Sequence, residues 1–202
     1  MANMHNFFEV MTSWKRYDGA LHLYALPDDE ELLDRFVAAQ EAFAGIPQLP
    51  PMPRAWLHAT VQRMAQFDDE VTQPELTALG RAMTDELAGV DAFSLDLGPP
   101  IARQTAVECA ATSTEAWDAL GTAVRRALRA VWDTHVPDRP YGPHVSLSYA
   151  IGDVADEDIA SRLAGMGPPG PMEVSQVHLV SVTARPEVGI FDFTSLATWD
   201  LA

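Results

Sequence analysis

Cysteine is almost missing from this 202-residue chain, with Cys109 the only one. No internal disulfide can form and no Cys-based zinc site can assemble, which fits a reducing, cytoplasmic setting. Basic residues are scarce as well. There are 13 Lys plus Arg against 29 Asp plus Glu, a formal net charge of −16. Such a surface repels long polyanions, because non-specific nucleic-acid affinity comes mostly from neutralised phosphates. One local cationic pocket still admits a small anion, since about 0.15 M salt screens charges beyond roughly 8 Å. Lys15 is the only lysine, so a phosphate clamp must be built from arginine forks. Long apolar runs are absent too. No stretch approaches the roughly 18 residues of a membrane span. The opening MANMHNFFEVMTSWKRYDG lacks the basic-then-apolar order of a secretory signal.

What is present reads as one globular domain, with 48% apolar and 21% charged residues. Apolar periodicity predicts helices over 28–43, 74–88, 115–132 and, more weakly, 156–164. Thr72 is placed to cap the second, and Thr112 with Glu115 has capping-box spacing before the third. Segments of strand character fall at 20–26, 55–62, 93–97, 105–111, 144–150, 176–183 and 190–201. Proline-rich linkers occupy 46–53, 98–100 and 165–171. The order strand, helix, histidine strand, helix occurs over 20–88 and again over 105–164. This predicts two related α+β lobes facing one another, with residues 1–19 as an N-terminal extension and 20–202 as one bilobal domain.

The chemistry concentrates in two short motifs, His58-Ala59-Thr60-Val61 and His144-Val145-Ser146-Leu147. In a strand, residues i and i+2 share a face. Each motif therefore sets an imidazole beside a hydroxyl, with the intervening apolar residues directed toward a core. That pairing suits phosphoryl chemistry. One neutral imidazole can take a proton from water while a protonated one gives a proton to the leaving oxygen. The hydroxyls can hold the non-bridging phosphate oxygens, and no metal is required. With six histidines and about one residue in nine Ser or Thr, chance supplies less than about one such match. Two copies, each on a strand pattern, are more than that.

The paired motifs, 86 positions apart, resemble those of the two-histidine (2H) phosphoesterase superfamily, and within it the 2′-5′ RNA ligase-like, RNA 2′,3′-cyclic phosphodiesterase branch. The similarity extends to PHVSLSYA after Arg139-Pro140-Tyr141-Gly142, to FSLDLG at 93–98 and to the ending VHLVSVTAR…FDFTSLATWDL, spanning roughly residues 20–201. WLHATVQRM departs from the usual pattern, with Ala59 and Val61 where bulkier aliphatics are common. The resemblance implies an α+β fold of two antiparallel-sheet lobes with flanking helices around a central cleft. It implies His58, Thr60, His144 and Ser146 as catalytic residues, with His58 the acid and His144 the base. It also implies no metal, and a small nucleotide or RNA terminus is the expected substrate; no cofactor is expected, the charge and the short apolar runs speak against a long nucleic-acid or membrane partner, and the oligomeric state is left open with a monomer favoured.

Around the motifs, Trp56 alternates onto the His58 face and Tyr141 precedes the second motif. Either can stack a base or pack between lobes. Of Arg54, Arg63, Arg103, Arg139 and Arg185, we single out Arg139 and Arg185 as phosphate ligands. His22 and His178 read as structural, hydrogen-bonded histidines. His5 and His135 carry no signal, and Cys109 reads as a small buried hydrophobe. Residues 165–170 spell G-x-G-x-x-G, but Pro168, Pro169 and Pro171 lack the N–H groups a pyrophosphate needs, so the run reads as a loop. Two other readings stay open: a nucleotide-binding module of the same fold without turnover, and a metal hydrolase with His58 and His144 as ligands.

Overall fold

The computed structural model describes residues 3–11, 14–132 and 136–202, so His135 lies outside the described residues. The elements follow in the order β1 (Asn3–Met4), α1 (Phe7–Val10), β2 (Ala20–Ala25), α2 (Glu30–Gln40), β3 (Ala59–Phe67), α3 (Gln73–Leu87), β4 (Phe93–Leu97), β5 (Ile101–Ala102), β6 (Ala106–Ala110), α4 (Glu115–Val131), β7 (His144–Tyr149), β8 (Val154–Ala155), α5 (Asp156–Leu163), β9 (Gly170–Val174), β10 (Gln176–Arg185) and β11 (Ile190–Asp200).

Seven strands form one antiparallel sheet in the order β11-β10-β2-β3-β7-β6-β5, and β4 with β9 and β1 with β8 make two small ribbons. The large sheet has a seam. β2 and β3 pair along most of their length, as do β6 and β7, whereas β3 meets β7 through the single pair Ala59↔Val145. The two lobes are therefore two half-sheets hinged at one point, and that point is the middle residue of both histidine motifs.

The helices follow their apolar stripes. Trp117, Leu120, Val124 and Leu128 of α4 are buried, as are Leu79, Met83 and Leu87 of α3, and the two helices pack on one another. Thr72 caps α3 in a capping box with Glu75. The cap of α4 is Thr114 rather than Thr112: its side chain accepts from the Trp117 N–H, two residues nearer the helix than the capping-box spacing suggests. The ribbon strand β9 starts inside what reads as a proline loop, because alternate residues Met172 and Val174 are buried against β4.

The expected strand over 55–62 starts late. Pro50, Pro51 and Pro53 cannot donate to a ladder, and the Trp56 N–H closes a 3₁₀ turn (Arg54–Trp56) onto the Pro53 carbonyl. Arg54 fastens this turn to Glu30 and Asp34 of α2. The proline linker itself lies along β7: the Met52 N–H donates to the Leu147 carbonyl and Ser148 Oγ to the Pro50 carbonyl, both at 2.8 Å. Buried Gln40 of α2 completes the tie, donating to the carbonyls of Met52 and Leu147. A stretch without regular structure is thereby held firmly enough to aim the residue after it, His58.

Candidate active site

Ala59 opposite Val145 sets the geometry. Continuing that antiparallel register places His58 across from Ser146 and Thr60 across from His144. Successive side chains alternate faces, so all four share the face opposite Ala59 and Val145, which are buried beneath. His58, Thr60, His144 and Ser146 together line one cavity of about 250 Å³.

Both imidazoles are held in the same way. Nδ1 of His58 lies 2.7 Å from the Trp56 carbonyl and Nδ1 of His144 lies 2.8 Å from the Gly142 carbonyl. A carbonyl only accepts, so each Nδ1 carries the proton and donates, leaving each Nε2 as the atom that exchanges protons. Each ring is also stacked on a tyrosine. Tyr24 lies 3.9 Å from His58 at 10°, and Tyr141 lies 4.6 Å from His144 at 6°. The hydroxyls of the motifs are tied to tyrosines as well, Thr60 to Tyr24 and Ser146 to Tyr149. Burial pushes the Tyr24 phenol well up and that of Tyr149 up to about 12, so both stay protonated at neutral pH.

The surroundings of the two histidines differ. His58 is buried among Tyr24, Phe193 and Tyr24's other neighbour His22, whose Nδ1 is 3.0 Å from the Tyr24 hydroxyl. Burial lowers the pKa of His58 to about 4, against the opposing pull of the Trp56 carbonyl, and His144 lowers it further. His22 is lowered to about 3, again mainly by burial and then by His58 and Arg63. On the other side, Glu108 of β6 is buried to 1% exposure, accepts from Tyr141 Oη, and pairs with Arg103 Nε at 3.0 Å. The stacking partner of His144 is thus anchored to a buried carboxylate whose arginine partner is half exposed, that of His58 to the His22 imidazole and the Thr60 hydroxyl.

Of the residues expected to bind substrate, Tyr141 lines the cavity and the others do not. Trp56 sits in the 3₁₀ turn, partly buried on the core, and contributes its carbonyl to His58 rather than its ring to the cleft. Arg139 is committed to Asp118 and the Trp117 carbonyl, with its guanidinium in the space left by the missing side chain of Gly121. Arg185 pairs with Asp192 at the far end of β10. The arginines that line the cleft are Arg63 and Arg103. Simple alternation hides Arg63, which should oppose Thr60. A bulge intervenes: Tyr24 faces Thr60 while His22, two residues back, faces Arg63 three residues on. The extra residue returns Arg63 to the cleft face. Arg103, in the turn before β6, has no sequence signal of this kind.

His178 makes a hydrogen bond to Thr198 and lies away from the cleft, as a structural histidine should. His22 is hydrogen-bonded and buried too, yet it lines the cavity. Cys109 is fully buried, with its thiol pushed up to about 12 by burial and by Glu108. Among the described residues no group of three or more His, Cys, Asp or Glu is assembled as a metal site, and no helix is long and apolar enough to cross a membrane.

A family model for the 2′-5′ RNA ligase superfamily matches residues 28–185. No curated protein matches the chain in sequence. Among solved structures, the chain is similar to the protein TT0787 of Thermus thermophilus, with a TM-score of 0.70 at 18% identity, covering 90% of this chain and 97% of that one. It is similar to Escherichia coli LigT in apo form, with a TM-score of 0.64 at 19% identity, covering 92% and 98%. Kluyveromyces marxianus Usb1 follows at a TM-score of 0.53 and 12% identity, covering 88% and 98%. LigT has also been solved with 3′-AMP, NADP+, phosphate and ATP.

Proposed function

Because this chain belongs to the 2′-5′ RNA ligase superfamily, we propose that it is a metal-independent phosphodiesterase that opens a nucleotide 2′,3′-cyclic phosphate or cleaves a 2′-5′ linkage. The observation that carries this reading is the pairing of two imidazoles, both with Nδ1 bound to a backbone carbonyl and both lining one cavity beside a hydroxyl. Two Nε2 atoms on one substrate can move two protons in one displacement. His144 takes the proton of the attacking water and His58 gives one to the departing ribose oxygen, so a P–O bond forms to water as the P–O bond to the 3′ oxygen breaks and a 2′-phosphate results. Thr60 and Ser146 hold the non-bridging oxygens in line, and Arg63 supplies the positive charge that Arg139 and Arg185 do not bring, while Arg103 on the cleft wall is balanced by Glu108.

The acid role of His58 needs a proton that burial disfavours, lowering its pKa to about 4. The substrate supplies the missing term. A unit negative charge about 4 Å from the ring contributes about 4 kcal/mol at an effective dielectric of 20, and roughly 3 pKa units follow at 1.36 kcal/mol each. An imidazole neutral in the free protein is thus brought to about half protonation near neutral pH when phosphate arrives. The same burial favours a second reading in which His58 is the base and His144 the acid.

The test is turnover of nucleoside 2′,3′-cyclic phosphates and 2′-5′ dinucleotides in excess chelator, with product regiochemistry read by phosphorus NMR. Loss of activity with chelator, restored by one divalent metal, would replace the mechanism by a metal hydrolase. Tight nucleotide binding without turnover would leave a binding module.

A further inference from the structure

The stretch before β2 lies outside the family match, which begins at residue 28, yet it forms part of the cleft. Phe7, Met11 and Trp14 line the cavity beside His22, Tyr24 and the two catalytic histidines. The stretch bridges both lobes. At its start, β1 pairs with β8, the His5 N–H donates to the Gln104 carbonyl and the Phe7 N–H to the Ala150 carbonyl, all on the His144 side. At its end, the Tyr17 carbonyl accepts from the Ala184 N–H of β10, on the His58 side. Buried Met4 and Phe8 anchor it in the core.

Its aromatic residues are fixed by one tilted and three edge-on ring contacts. Phe7 meets Tyr149 at 4.6 Å and Phe191 at 5.7 Å, and Trp14 meets His22 at 5.2 Å and Phe191 at 5.5 Å. Beyond Trp14 a second cavity of about 200 Å³ shares Trp14, His22 and Arg63 with the first. One side of the cleft therefore carries the proton-transfer groups and the adjoining side an apolar, aromatic wall. A phosphate needs the former, and a planar nucleobase is the part of a nucleotide that suits the latter.

The second cavity adds one lysine to the cations of the cleft, Lys15, which pairs with Glu70 at 3.8 Å, and several arginines among the described residues are held by carboxylates. Arg16 is paired with Asp69, Arg35 with Glu31, Arg54 with Glu30 and Asp34, and Arg139 with Asp118. The whole chain carries −16, and an RNA strand would meet that charge at each phosphate outside the cleft.

We propose that Phe7, Met11 and Trp14 form a base-recognition wall that strapping across the lobes holds in place, making the substrate a free nucleotide rather than the 3′ end of an RNA chain. This rests on the phosphodiesterase reading and narrows its substrate. The experiment compares kcat/KM of the full chain on a nucleoside 2′,3′-cyclic phosphate, on an RNA octamer ending in the same cyclic phosphate, and on a base-less methyl riboside 2′,3′-cyclic phosphate. The native protein should favour the nucleotide over the octamer at least about tenfold, as its charge and strap require. Trp14→Ala should lose about 5- to 150-fold on the nucleotide, the range that base–aromatic stacking supplies, and several-fold less on the base-less substrate. Trp14→Phe should recover most of the loss. Equal losses on the two small substrates, or a native preference for the octamer, would overturn the proposal. Calorimetric binding of adenosine 2′-monophosphate and methyl riboside 2′-monophosphate makes the same comparison without turnover. A protein that cleaves nothing sinks the phosphodiesterase reading, yet base-dependent affinity lost in Trp14→Ala still upholds the wall. Equal affinities for the two ligands reject it.

Discussion

The two halves of the cleft carry the same four-residue pattern in unlike settings. Around His58 the nearest groups are uncharged: Tyr24 stacks on it, buried His22 and partly buried Phe193 stand beside Tyr24, Arg63 lies beyond His22, and the pKa of His58 falls to about 4. Around His144 the stacking tyrosine is anchored to a buried carboxylate, and that carboxylate to an arginine. Equal motifs placed in equal settings would compete for the same proton. Burial holds His58 neutral in the folded protein, and the proposed acid and base roles call for settings that differ in this way.

The largest expected effect tests whether both halves are needed. His58→Ala and His144→Ala should each lower kcat by about 10² to 10⁴, with unchanged circular dichroism. A nitrophenyl leaving group, which needs little protonation, then separates the roles. Rescue of His58→Ala supports the acid assignment, rescue of His144→Ala reverses it, and rescue of neither means that both histidines act by positioning.

Next in size is the charged anchor of the His144 half. Glu108→Gln leaves Arg103 without its counter-charge and Tyr141 with a weaker acceptor. A hydrogen bond to a charged group is worth about 1.5 to 3 kcal/mol, so activity should fall roughly tenfold or more. Tyr141→Phe should show the same direction of change. If Glu108→Gln keeps native kcat and pH profile, the ion pair does not position His144 and the comparison loses one side.

The neutral half makes a prediction about stability against pH. His22 and His58 are lowered to about 3 and about 4 in the folded state, from an unfolded value near 6.5. Between these values the unfolded chain binds more protons, so folding stability rises with pH there. The contribution is complete above about pH 6.5 and is lost as pH falls toward 4 to 3. His22→Gln should reduce this acid sensitivity by roughly 3 kcal/mol at pH 4.5, seen as roughly 5 to 10 °C less depression of Tm than in the native protein. Acidification also relieves the repulsion of an excess of carboxylates, so the difference between the two proteins is the quantity to measure. Parallel curves would show that His22 is not held neutral.

The smallest effects belong to the hydroxyls, which both halves share. A neutral hydrogen bond contributes about 0.5 to 1.5 kcal/mol, so Thr60→Val and Ser146→Ala should each cost roughly 2- to 13-fold in kcat/KM. Losses as large as those of the histidine variants would make the hydroxyls partners in proton transfer rather than supports.

Much of this could be read without coordinates because it depends on local spacing. The period of two in HATV and HVSL put imidazole and hydroxyl on one face, the apolar stripes of 74–88 and 115–132 marked α3 and α4, and the recurrence of strand, helix and histidine strand announced two lobes. What the sequence could not specify is everything set by partners distant in the chain. The Ala59↔Val145 pair that joins the two motifs links residues from different half-sheets. The bulge between β2 and β3 brings Arg63 to the cleft against simple alternation, while Gly121 and Asp118 draw Arg139 away. Burial, which makes His58 neutral and hides Glu108 beneath Tyr141, is a property of packing from all sides. Local periodicity determines which face a side chain takes. Only the folded chain decides what that face meets, and the charge state follows from what it meets.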